Sequence, residues 1–220
     1  MIFLSYILNI DTPTYGNRDK FEQIKTSSIS KGEVANNTSI STTVHIGTHI
    51  DLPYHFYENG QTIEDFDANF WIFKKPLIID IKQNDLILNR NLIDRLNEVN
   101  DAGYDILIVK TGICDLRDNK EFWSQNYGFH PDVYDLLVVK FPFIRVFGFD
   151  SISVSSIQNR TLGRKSHQRF LNPEKPILLL EDMDLRHVED RMIFKEIIIS
   201  PLRISNCDGL PCTVFGRFYD

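Results

Sequence analysis

Four short, largely apolar runs limit the folds open to this chain: Leu77 to Ile79, Ile106 to Val109, Ile144 to Phe149 and Ile177 to Leu180. A strand that faces water on one side alternates apolar and polar residues. Runs apolar at nearly every position predict strands covered on both faces. Ile197 to Ile199 and Thr213 to Phe215 predict two later strands, and the apolar stretch Met1 to Ile10 a first buried one. Between the runs the period changes. Leu92, Ile93, Leu96 and Val99 mark one face of a helix that Asn91 can cap, with Gly103 just past its end. Pro131 opens a second helix through Val133, Leu136, Leu137 and Lys140. Strand–helix–strand order in the middle, with extra strands at both ends, predicts an α/β domain built on a mixed sheet. The polar stretch Ser27 to Thr43 reads as a loop or an edge hairpin. No repeat or compositional break divides the 220 residues, so residues 1–220 are expected to form a single domain.

Composition narrows the function. The formal charge of −6 argues against a nucleic-acid partner, and the densest basic stretch, Arg160 to Arg169, is too short to change that. No segment offers the ~20 apolar residues of a membrane span. Met1 to Ile10 lacks the positive flank and small-residue cleavage site of a signal peptide. Cys114, Cys207 and Cys212 are too scattered for a disulfide framework or a zinc knuckle, and read as buried free thiols of a cytoplasmic protein.

Three of the six histidines fall between His45 and His55. In an extended chain His45, His49, Asp51 and His55 share one face, while most residues between them face the core. Neutral imidazoles and a carboxylate suit zinc, and also manganese or iron. Without a cation such a cluster gains little from burial. Residues four apart on a straight strand lie roughly 13 Å apart, too far for two ligands of one ion with ~2 Å bonds. The chain is therefore expected to bend at Gly47-Thr48, and Pro53 to end the strand and re-aim His55. A metal needs ligands from other segments. His167, in a polar stretch, and Glu181, where an apolar strand stops at the sheet rim, are the candidates. His130 and His187 read as surface or satisfied core residues.

The segment His45 to His55, HIGTHIDLPYH, resembles the pattern His-x-Gly-Thr-His-x-Asp-x-Pro-x-His of the cyclase family, which includes bacterial kynurenine formamidases and isatin hydrolases. Leu107 to Gly112, the Gly-x-Asp-x-x-Ser element at Gly148, Asp150 and Ser153, and Pro201-Leu202 with Asp208 to Pro211 also resemble that family, so the similarity spans nearly the whole chain. The resemblance implies a swivelling β/β/α-type fold and a homodimer or higher homo-oligomer. It implies one or two divalent ions, zinc first and manganese as the alternative, on His45, His49, Asp51, His167 and Glu181. It assigns proton transfer to His55 and substrate contact to Tyr15, near where kynurenine formamidases carry a tryptophan. The chain departs from the family at Leu52, where alanine is usual, and at Cys212 and Thr213, where an arginine is often found. These changes spare the ligand set and bear on the substrate.

The chemistry expected is hydrolysis of a small amide or lactam, of the N-formylkynurenine or isatin kind. A bound cation yields hydroxide near neutral pH, and an imidazole can move the proton to the leaving amine. A metal-dependent cyclase or dehydratase, or a metal-binding relative without catalysis, are the alternatives to be separated.

Overall fold

The computed structural model describes residues 1–82, 85–189 and 191–219. Its strands are β1 (Ile2–Phe3), β2 (Glu22–Ser27), β3 (Asn37–Ser41), β4 (His49–Asp51), β5 (Ile72–Phe73), β6 (Pro76–Asp80), β7 (Ile87–Leu88), β8 (Ile106–Lys110), β9 (Gly128–Phe129), β10 (Val146–Phe149), β11 (Leu178–Glu181), β12 (Phe194–Pro201) and β13 (Gly209–Phe218). Its α-helices are α1 (Arg90–Glu98), α2 (Lys120–Ser124), α3 (Asp132–Lys140) and α4 (Arg160–Phe170).

Nine strands form one mixed sheet, ordered β5-β12-β13-β4-β11-β10-β8-β6, with β1 also on β13. The four apolar runs are its parallel half: β6, β8, β10 and β11 pair in parallel. β4, β13, β12 and β5 continue it antiparallel. Alternate residues of the parallel strands enter two cores, as continuous apolar runs require. Ile106, Ile108, Val146, Leu178 and Leu180 pack with Ile197, Ile199 and Val214 of the late strands. Leu107, Val109, Phe147, Phe149 and Leu179 pack on the other face with Leu92 and Leu96 of α1, Val133 and Leu137 of α3, and Phe170 of α4. The mixed α/β architecture agrees with the sequence reading.

Two local expectations change. Met1 to Ile10 is not a buried strand: only Ile2–Phe3 pair with β13, and Phe3, Ile7 and Ile10 are exposed. Helix α1 starts at Arg90, with Asn89 rather than Asn91 at its cap. The polar stretch around His167, to which the sequence assigned no element, forms α4, capped by the Asn159 side chain, which accepts from the Leu162 N–H. The Ser27 to Thr43 stretch contributes the outer strand of an exposed two-stranded ribbon, β3 on β2. No described helix is long and apolar enough to cross a membrane.

Candidate active site

Strand β4 sets the floor of the site. It pairs with β11 on one side, placing Glu181 opposite His49, and with β13 on the other, placing Gly209 opposite Asp51. Ile50 points into the core with Leu180 and Leu210. His49, Asp51 and Glu181 therefore share the opposite face, and all three are buried. His45 and His55 reach this face by turns in the chain. Gly47 adopts φ +56°, in the left-handed region, and a Cβ there would fall 2.3 Å from Leu8 Cδ2, so the bend is built on glycine. Pro53 opens a short 3-10 turn, Pro53–His55, which turns His55 back toward the cluster. His167 arrives from α4, which lies so close to Ser155 that a Cβ at Gly163 would sit 2.0 Å from Ser155 Oγ.

Hydrogen bonds fix the imidazole orientations. His49 Nδ1–H donates to the Gly47 carbonyl at 2.8 Å and His167 Nδ1–H to the Gly163 carbonyl at 3.0 Å. Each then turns its Nε2 toward the carboxylates. His49 Nε2 lies 3.3 Å from Asp51 Oδ1 and 3.5 Å from Glu181 Oε2, and His167 Nε2 lies 3.5 Å from Asp51 Oδ2. Glu181 is held by the Val154 N–H, 2.7 Å from Oε1, with Ser153 Oγ nearby at 3.4 Å. Asp150, from the same Gly-x-Asp-x-x-Ser stretch, accepts from the N–H groups of Thr111 and Gly112 and ties the turn after β8 to that after β10.

Electrostatics bear on whether a cation fits. Burial pulls the pKa of His45 down, but the Asp51 charge and hydrogen bonds to Asp208 and Asp51 push it up to about 9. Both His45 nitrogens face carboxylate oxygens at 2.8 Å, which only the imidazolium can satisfy by donation. His49 and His167 are also raised: burial opposes, and the carboxylates of Asp51 and Glu181 close to their Nε2 atoms overcome it. Asp51 is lowered, despite burial, by His45, which is hydrogen-bonded to it, and by the nearby His167 and His49. The cluster thus calls for positive charge that protons supply when no metal does. His49 Nε2 is buried without a hydrogen-bond partner. An orphaned imidazole nitrogen between two carboxylates fits a divalent cation. Two groups present ligand atoms within 4.8 Å of one another: His45, Asp51 and His55, and His49, Asp51 and Glu181.

Above the cluster opens a cavity of about 340 Å³. All seven residues singled out in the sequence, His45, His49, Asp51, His55, His167, Glu181 and Tyr15, line it. Phe56 adds an apolar wall, stacked on His167 with ring centroids 4.8 Å apart. His130 and His187 are not among its lining residues. Sequence reading missed Asp208, which takes His45 Nε2–H and His55 Nδ1–H on one oxygen, each at 2.8 Å. Those hydrogen bonds hold its carboxyl well below the usual range. The only signal was its place in the Asp208 to Pro211 turn. Arg18, Arg160 and Arg164, on the same cavity, were also missed.

Comparison with known proteins agrees with this arrangement. The cyclase family model matches residues 2–156. The chain is 27% identical to a kynurenine formamidase of Bacillus cytotoxicus over 98% of this chain and 96% of that one. It is 29% identical to a kynurenine formamidase of Bacillus thuringiensis subsp. konkukian over 96% and 93%. In fold it is similar to isatin hydrolase A of Labrenzia aggregata, bound to benzyl benzoate, with a TM-score of 0.80 at 19% identity, covering 98% of this chain and 92% of that one. With the family model matching most of its length and the relatives aligning nearly end to end, this chain belongs to the cyclase family.

Proposed function

We propose that this protein is a metal-dependent hydrolase of a small amide, with His45, His49, Asp51, His167 and Glu181 as the ligands of one or two divalent ions and His55 as the proton carrier. The observation that carries the reading is the buried, unpartnered His49 Nε2 between Asp51 and Glu181. A divalent ion held there supplies a lowered pKa for bound water and polarisation of a carbonyl. The protein's own groups do the rest. Asp51 turns Oδ1 toward His45 and His49 and Oδ2 toward His167, so either oxygen would be available to hold an ion with those histidines. His55, with Nδ1–H bonded to Asp208, has Nε2 left to take a proton from the attacking water and return it to the leaving nitrogen. Amide hydrolysis needs both transfers, because an unprotonated amine anion leaves badly.

The relatives' names, kynurenine formamidase and isatin hydrolase, support a substrate of that size. Zinc is the ion proposed first for a set of imidazoles and carboxylates, with manganese as the alternative. Three free cysteines support a reducing, cytoplasmic setting, and the exposed Phe3, Ile7 and Ile10 support burial against a second copy in a homodimer. Elemental analysis beside formanilide hydrolysis tests the function. The expected result is bound metal and turnover in the wild type, both lost in His49→Ala, and turnover alone lost in His55→Ala. A metal-replete wild type that leaves formanilide and isatin intact would overturn it.

A further inference from the structure

Arg160 and Arg164 stand one helical turn apart on α4, and His167 follows at the next turn, so one stripe of the helix carries two guanidiniums and a proposed ligand. All three line the cavity. Arg18 lines it from the loop that carries Tyr15, with its guanidinium 5.5 Å from the Tyr15 ring centroid and its Nε–H donating to the Tyr15 carbonyl. Burial raises the Tyr15 pKa and the Glu181 charge adds to the rise, while the charges of Arg160, Arg18 and Arg164 oppose it.

This concentration of charge has no internal explanation. The chain as a whole carries a formal charge of −6, yet three arginines line this one cavity, whose acidic lining residues are Asp19 and, in the buried cluster, Asp51 and Glu181. Arg160 and Arg164 are exposed and make no hydrogen bond or ion pair with any described residue. Arg160 is also the first residue of α4, which holds no acidic residue in its first turn. A cation there opposes the helix dipole and costs stability. Two unpartnered cations one turn apart on a helix, both lining a cavity, are explained by an anion that arrives with the substrate.

We infer that Arg160 and Arg164, with Arg18 across the mouth, receive a carboxylate carried by the substrate, so that the amide hydrolysed here is an anionic one. The inference rests on the amide-hydrolase reading for the reaction but not for the anion. Guanidinium forks match the planar carboxylate, and the cation-rich mouth draws anions in. Arg160 and Arg164 are specificity-determining residues that leave the chemistry at the floor untouched.

The test is equilibrium binding to the zinc-loaded full chain of two fluorescent probes, 2-aminobenzoate and its neutral methyl ester. The acid is expected to bind the more tightly. In the Arg160→Ala/Arg164→Ala variant its affinity falls about tenfold to a hundredfold while that of the ester changes less than about twofold. Lysine at both positions restores part of the loss. The melting temperature of the double variant is expected to be equal or higher, because alanine favours the helix and the adverse dipole contact is gone. Equal binding of acid and ester overturns the inference. So does an advantage of the acid that survives the double substitution, as a carboxylate seated on the metal would give, and so does absence of binding at millimolar concentration. Turnover of 2-formamidobenzoate and formanilide separates the two readings. Discrimination in binding with neither compound hydrolysed removes the amide reading and keeps the anion site. Hydrolysis of both at equal rates by wild type and variant, without discrimination in binding, does the reverse.

Discussion

Asp208 Oδ2 lies 2.8 Å from His55 Nδ1, and the same oxygen lies 2.8 Å from His45 Nε2. One carboxylate thus orients both a proposed ligand and the proposed proton carrier. Carboxylates that fix a ligand histidine are worth about tenfold to a hundredfold in metal affinity or activity. Asp208→Asn is expected to lower kcat by about that factor, because a neutral amide oxygen would replace the charged one to which both histidines donate. Steady-state kinetics beside metal analysis checks it. Unchanged kcat with full metal would refute the orienting role.

Metal removal should cost stability as well as turnover. The buried cluster repels itself without positive charge, and an ion at a hundred times its dissociation constant contributes about 2.7 kcal/mol. For a chain of this size that corresponds to a fall in Tm of about 5–10 °C on chelation, recovered by zinc or manganese. His49→Ala is expected to show a low Tm that neither chelator nor metal moves. Differential scanning calorimetry of the two proteins measures it.

Gly163 decides how closely α4 approaches the sheet. Alanine there gains ~1 kcal/mol of helix propensity, but its Cβ would lie 2.8 Å from Ser155 Cα, a backbone atom that cannot swing aside. Overpacking of this kind costs typically ~1–3 kcal/mol, and the clash outweighs the gain. Gly163→Ala is expected to lower the urea midpoint. It should also reduce metal content, because the displaced helix carries His167. Full metal content in a destabilised variant would separate the two effects and refute the second.

A pH-dependent contribution is expected from a pair that does not line the cavity of the histidine–carboxylate cluster. Burial raises the pKa of Asp184, but the Arg186 fork, with contacts of 2.8 Å to each carboxylate oxygen, overcomes it and holds the group below its usual 3.8. A carboxyl depressed on folding contributes stability above its unfolded pKa and loses it as pH falls through the folded one. A double-mutant cycle of Asp184→Asn and Arg186→Gln should give a small favourable coupling, below about 1 kcal/mol, from pH 7 down to about pH 4. Below 3.8 the coupling should fade. A coupling that persists in the acid range would show that the contact is not the ionic one.

Sequence continuity made the parallel half of the sheet legible, because strands covered on both faces announce themselves by unbroken apolar runs. Helix α4 stayed hidden for the opposite reason. Its inward side is Gly163, Ser166, His167 and Phe170, three of them small or polar, so no apolar period marks it. The first ten residues misled because apolar content is not strand pairing: beyond Phe3 the described residues of this stretch form no ladder, and an isolated bridge joins Ser5 to Met183. Within the site, the bends at Gly47 and Pro53 followed from geometry, since straight extension would have kept the histidines apart. Asp208 did not, because 163 residues separate it from His45 and only the pairing of β13 with β4 joins them.

That pairing also divides the cavity by parentage. His49, Asp51 and Glu181 sit on β4 and β11, in the middle of the sheet with paired strands on both flanks. Tyr15 and Arg18 sit on or beside a short turn at the rim, and Arg160 on the first exposed turn of α4. Replacements in the first group disturb the most strongly tethered part of the molecule, whereas those in the second cost the fold little. A lineage built on this plan can exchange one substrate for another by rewriting its rim while inheriting its chemistry unaltered.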